Sequence, residues 1–399
     1  MDSNICFLNS NDGTGLLGFG GQNLQIFNTG DVTSKIQSFI DSNHSKYIFL
    51  CLSYDLKNHI ENLYSQNTDR IKFPAAMLWS PDCVAKINGD HIEIVQGPSN
   101  EVNKKKAREL LKGLKQQNGK TNNINFRKGI NKESYINSVK TLQNHIQRGD
   151  IYEVNFCQEY IAENVDLEDV KNTYLNINNI TDAPFSSYLK FNEFEVFCGS
   201  PERYIKKKGL NLIAQPIKGT AKRGLSISDD NLLQEKLKND PKERAENIMI
   251  VDLMRNDLSK IAQKGSVKVD ELCKVYTFKT VHQMISTVSC KMKSGTNFND
   301  ILKATFPMGS MTGAPKIRAM ELIEKHESFK RGLYSGSIGY IAPNGDFDLN
   351  VIIRTMVYNK KLKNLSCAVG SAITINSIPE NEYEECAVKI QKLLDGVSG

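Results

Sequence analysis

Strand patterns come in clusters along this chain, and that clustering constrains the fold more than any other feature of the sequence. Residues 334–342, 347–358 and 365–374 read as three consecutive strands, the first two joined by a Pro343-Asn344-Gly345 turn, which predicts a β-meander. Residues 47–52 form a short apolar run followed by a Ser53-Tyr54-Asp55 turn, and residues 151–160 read as another strand. Helical spacing separates these clusters. Ile136, Val139, Leu142 and Ile146 share one face until Arg148-Gly149-Asp150 ends the run. A second helix is predicted over about residues 241–258 and a last one over about 380–394. A third opens at Thr312-Gly313-Ala314-Pro315, with the proline in its first turn, where a missing N–H does no harm. A doubly wound parallel sheet requires strands alternating with helices. Clustered strands predict an α+β fold instead.

Residues 97–128 are rich in Asn, Lys, Gln and Gly and predict a charged helix flanked by loops. The main boundary is placed at its end, giving an N-terminal region, 1–128, packed on a core, 129–399. The longest apolar runs fall far short of the roughly 20 residues that cross a bilayer. The N-terminus lacks a basic segment followed by an apolar one, so the expectation is a cytoplasmic protein without membrane attachment. Nine scattered cysteines with no C-x-x-C pair predict reduced thiols. A net charge of +6, spread without aromatic or groove-reading elements, predicts no nucleic-acid partner.

Two predicted helices each carry glutamates three residues apart: Glu243 with Glu246, and Glu382 with Glu385. That spacing puts each pair on one face, where like charges gain nothing from each other. A hard cation such as Mg²⁺, which prefers oxygen ligands, would account for the pattern. Either pair alone reads more readily as solvated surface.

The surrounding sequence adds to this. In order along the chain stand Gly149-Asp150-Ile151-Tyr152-Glu153-Val154-Asn155, Ser200-Pro201-Glu202-Arg203-Tyr204, Pro216-Ile217-Lys218-Gly219-Thr220, and Arg244-Ala245-Glu246-Asn247 running on to Arg255-Asn256-Asp257. Residues 309–316, Arg331-Gly332-Leu333-Tyr334-Ser335-Gly336, Ile353-Arg354-Thr355 and Glu382-Tyr383-Glu384-Glu385 follow. Together they resemble the chorismate-binding family of anthranilate, aminodeoxychorismate, isochorismate and salicylate synthases. The resemblance covers roughly residues 130–395 and is thin before that.

The resemblance implies an α/β sandwich of two near-orthogonal antiparallel sheets with outer helices and an active-site cleft. It implies Glu246 and Glu385 as direct Mg²⁺ ligands, with Glu243 and Glu382 acting through water. Arg354 would take the enolpyruvyl carboxylate, since a guanidinium is a fixed two-pronged donor. Tyr334 and Lys389 would support the substrate. Thr312 and Gly313 would offer N–H groups ahead of a helix, and Gly370, Ser371 and Ala372 would form a carboxylate-binding turn. Glu202 resembles the general acid for the ring hydroxyl at C4, which requires a raised pKa.

Lys218 stands where most of the family has Ala. It is similar to the aminodeoxychorismate synthase branch, in which the amine attacks C2 and ammonia then displaces it at C4. Glu153 replaces the lysine with which isochorismate and salicylate synthases activate water. Departures are Gln283 where many relatives have His, Ser371-Ala372 in a usually glycine-rich turn, and Cys386 after the metal-binding Glu. The resemblance thus implies magnesium-dependent amination of chorismate, with ammonia from a separate glutaminase subunit, for p-aminobenzoate and folate. An anthranilate synthase large subunit and a non-catalytic chorismate-binding subunit stay open as alternatives.

Overall fold

Every strand pairing in the computed structural model is antiparallel, and the strands sort into two large sheets. The structure describes residues 4–115, 124–167 and 169–398. The extreme N-terminus and the loop predicted after residue 115 lie outside them.

The larger sheet runs β17 (Gly313–Ala314), β9 (Glu153–Ala162), β21 (Asn364–Ile373), β20 (Thr355–Asn359), β11 (Phe194–Ser200), β10 (Phe185–Phe191), β1 (Ile5–Asn9), β2 (Thr14–Phe19), β6 (Cys83–Asn88), β7 (His91–Gln96), with β8 (Arg127–Lys128) beside β9. The smaller runs β14 (Ile217–Lys222), β16 (Val281–Lys291), β13 (Asn211–Gln215), β12 (Arg203–Lys208), β19 (Phe347–Asn350), β18 (Ser337–Ile341), β4 (Ile48–Leu52), β5 (Ala76–Trp79), β3 (Leu24–Phe27), with β15 (Lys268–Thr277) beside β16. The helices are α1 (Val32–Ser42), α2 (Glu101–Lys115), α3 (Lys132–Gln147), α4 (Val170–Thr181), α5 (Ile227–Asn239), α6 (Pro241–Ser259), α7 (Phe298–Thr305), α8 (Lys316–His326) and α9 (Pro379–Ser398).

Alternation along the strands explains the layers. In β4, Ile48, Leu50 and Leu52 join the core beneath α1, α6 and α7, whereas Phe49 and Cys51 point into a second core. In β1, Ile5 and Phe7 face the core shared with α2, α3, α4 and α9, whereas Cys6 faces that same second core. The second core is therefore the layer between the sheets. Trp79, fully buried, anchors it against Phe191, with ring centroids 5.3 Å apart in an edge-on arrangement. Strands from both sides of residue 128 hydrogen-bond within both sheets.

The predicted meander is corrected. Residues 347–358 form two strands in different sheets: β19 pairs with β12 and β18, whereas β20 pairs with β11 and β21. The chain crosses between sheets at residues 351–354, where Arg354 takes φ of +51° and its carbonyl accepts the N–H of Gly199. A second crossing lies beside it. β11 belongs to the larger sheet and β12 to the smaller, so Pro201 and Glu202 bridge the two, and the Glu202 carbonyl accepts the N–H of Val351.

The start of α8 also differs from expectation. Pro315 caps the helix from an extended conformation, and the helix proper begins at Lys316. Gly313 and Ala314 are drawn out as β17 by pairing with β9, and the Ala314 carbonyl accepts from the Tyr152 N–H.

Candidate active site

The two crossings open onto a cavity of about 440 Å³. Glu202 and Arg354 reach it from the crossings, Lys218 from β14, Glu243 and Glu246 from α6, and Glu382, Glu385 and Lys389 from α9. Tyr334 and Gly370, Ser371 and Ala372 line it as well.

Local sequence fixes the orientation of the acids. Asp240 caps α6 by accepting from the N–H groups of Lys242 and Glu243, and Pro241 fills the first helical position. A helix started this way holds Glu243 and Glu246 on one face toward α9. Glu246 and Glu382 are buried, at 7% and 3% exposure. Burial pushes the Glu246 carboxyl up to about 7, with Glu153 and Glu243 adding to the rise. Burial also raises Glu243. Burial acts upward on Glu385 too, but Lys389, at 2.5 Å, together with Lys242 and Lys218 outweighs it and leaves that carboxyl below its ordinary value.

These acids suit a hard cation in donor chemistry, and Glu246 Oε1 is buried with no hydrogen-bond partner. In the arrangement present, no three acids or other ligating side chains among the described residues gather around one point. Instead the Lys242 ammonium lies between the two helices, 3.9 Å from Glu246 and 3.6 Å from Glu382. The Ser371 hydroxyl donates to the other oxygen of Glu382.

Glu202 is 4% exposed, and burial raises its carboxyl to about 7 against the opposing Ser310 hydroxyl, which donates at 2.7 Å, and Lys218. Lys218 donates to Glu153 at 2.8 Å. Burial pulls the amine down, but Glu153, Glu246 and Glu202 together hold it above its ordinary value, as an ammonium. Burial lowers the pKa of Arg354, which has no carboxylate within ion-pair distance among the described residues. It is a cation in the cavity wall without an anion of its own.

Two expected substrate contacts stand apart. Thr312 is fully buried, its N–H donates to the Gly309 carbonyl and its hydroxyl to backbone, so it offers no free donor. Gly313 is occupied in β17, where a Cβ would lie 2.2 Å from the Glu153 carbonyl. Gly370, Ser371 and Ala372 do line the cavity, but from within β21 paired to β9, where a carboxylate-binding turn was expected. Strand alternation separates Gln283, in the cavity, from His282, which faces away and pairs with Asp230 at 2.9 Å. Sequence reading missed Lys242, Asn155 and Ser310 as lining residues. For Lys242, the register with Glu246, four residues on, was the available signal.

A sequence model of the chorismate binding enzyme family matches residues 11–395. The chain belongs to that family. Among curated chorismate binding enzymes it is 39% identical to aminodeoxychorismate synthase component 1 of Klebsiella aerogenes over 269 residues, 67% of this chain and 59% of the relative. It is 36% identical to anthranilate synthase component 1 of Aquifex aeolicus over 273 residues, 68% of this chain and 54% of the relative. The chain thus spans less than two thirds of either relative's length. In fold it is similar to the crystal structure of anthranilate synthase component I from Streptococcus pneumoniae, with a TM-score of 0.83, 25% identity, and coverage of 96% of this chain and 92% of the other.

Proposed function

We propose that this chorismate binding enzyme aminates chorismate at C4 to give 4-amino-4-deoxychorismate. The observation that carries the proposal is a buried amine, Lys218, facing a cavity that also holds a protonatable carboxyl, Glu202, and an unpaired guanidinium, Arg354. Arg354 orients the substrate by one carboxylate. Lys218, once neutral, forms a bond to C2 while the C4 hydroxyl, protonated by Glu202, leaves as water and the ring double bonds shift. Ammonia then forms a bond to C4, the double bonds shift back, and the bond from C2 to Lys218 breaks. Glu202 takes the excess proton from the new amine.

Mg²⁺ is part of the same proposal. Glu246 and Glu385 would hold it directly and Glu243 and Glu382 through water, and its charge would grip the ring carboxylate. The orphaned oxygen of Glu246 supports this. "Component 1" in the relative's name supports a partner, read here as a glutaminase subunit that supplies ammonia. The product would feed p-aminobenzoate and folate synthesis in the cytoplasm.

The test is product identification with purified chain, chorismate, MgCl₂ and an ammonium salt. Aminodeoxychorismate is the expected product. Anthranilate as the sole product would establish the second reading, which the Aquifex relative favours. Binding of chorismate without turnover would sink both.

A further inference from the structure

Lys218 must lose a proton before it can form a bond, and the question is where that proton goes. Its Nζ donates to Glu153 Oε1 at 2.8 Å, and the two side chains are 11% and 1% exposed. Among the described residues this is the only carboxylate within ion-pair distance of the amine. The other acids facing Lys218 are Glu246 and Glu243 from α6, Glu202 from the crossing and Glu385 from α9. Glu202 is engaged by Ser310 and is needed as an acid, and Glu246 belongs to the acidic wall. Glu153 is not among the residues that line the cavity, although Asn155, two residues on along the same strand, is. The second oxygen of Glu153 is buried and has no hydrogen-bond partner.

We infer that Glu153 is a catalytic base that takes the Lys218 proton and later returns it. The inference rests on the covalent reading given above. The proton passes from Nζ to Oε1, leaving a neutral amine and a neutral carboxylic acid. The freed lone pair forms the bond to C2. When ammonia has bonded to C4 and the bond from C2 to nitrogen breaks, the amine leaves neutral and recovers its proton from Glu153. Protons balance over the cycle, with Glu202 taking the proton that the new C4 amine releases. Burial by itself pulls the amine toward its neutral form, while the carboxylates around it pull the other way, so the base has to lie in direct contact with Nζ, as Glu153 does. β17 presses closely on β9 at this point, with Gly313 packed against the backbone of Glu153.

The experiment omits ammonia, so that the covalent stage is observed alone. Full-length chain is mixed with chorismate and MgCl₂, quenched at intervals, and followed by intact-protein mass spectrometry for chorismate less water bound at Lys218. In Glu153→Gln the adduct should form about 10²–10⁴-fold more slowly, with chorismate affinity within about threefold of wild type. Glu153→Asp, which keeps a carboxylate, should recover part of the rate, which a merely structural role would not predict. Adduct formation in Glu153→Gln at the wild-type rate, or a loss that tracks weakened chorismate binding, overturns the inference. Failure of the covalent reading looks different: wild type turns over with ammonium yet forms no adduct, and Lys218→Ala keeps its activity.

Discussion

Burial keeps Glu202 protonated near neutrality, while carboxylates keep its neighbour Lys218 charged. The Glu202 shift has a consequence for stability. The folded carboxyl titrates near 7 and the unfolded one near 4.3, so between these values the folded chain binds more protons. Stability at this site therefore falls as pH rises through that window, and below it the effect vanishes. Glu202→Gln should melt with wild type near pH 4, and several degrees above it at pH 8, by calorimetry. The same variant should lose about 10²–10⁴-fold in amination rate. A variant that melts lower than wild type at pH 8 would contradict the burial argument. Arg354 shows a related trade. A non-glycine residue at φ of +51° is conformationally costly, by about 1–3 kcal/mol. The guanidinium held there has no carboxylate partner among the described residues, which accords with the carboxylate-binding role proposed for it.

The elements show what could be read from sequence and what could not. The predicted helices over residues 131–146, 241–258 and 380–394 appear as α3, α6 and α9, because their apolar residues recur at helical spacing and caps such as Asn131 and Asp240 mark their starts. The charged helix predicted after residue 97 is α2. The four glutamates could be grouped because two such helices carried them. The crossing at residues 351–354 could not be read. Phe347, Leu349, Val351 and Ile353 keep a two-residue apolar spacing through it, interrupted only by Ile352, and period alone does not say which sheet a strand joins. Thr312 and Gly313 misled for a similar reason: a glycine before a helix suggests an open backbone, whereas this one serves a close strand contact. Gly313→Ala tests that. With φ of +146° and a Cβ driven into the Glu153 carbonyl, the variant should lose about 1–3 kcal/mol in denaturant unfolding. Its amination rate should fall as Glu153 is displaced. Unchanged stability would mean that the approach of β17 to β9 is looser than the structure has it.

Across the whole molecule, the two sheets are sewn together by chain from both ends. Residues 129–399 alone would lack β1, β2, β6, β7 and β8 from one sheet and β3, β4 and β5 from the other. Phe191, Phe194 and Val196 would then lose Phe49, Met77 and Trp79 as packing partners. That fragment should be insoluble or unfolded by circular dichroism, and the full chain should melt in one cooperative transition. A fragment that folds alone would mean that the interlayer core is dispensable. The same weaving bears on synthesis. The proposed nucleophile and acid lie at residues 218 and 202, but the second acidic row lies at 382 and 385, on α9. A nascent chain still short of α9 on the ribosome already carries its nucleophile, yet has only half of its acidic wall. Completion of the cavity wall therefore waits for α9, which carries Glu382 and Glu385.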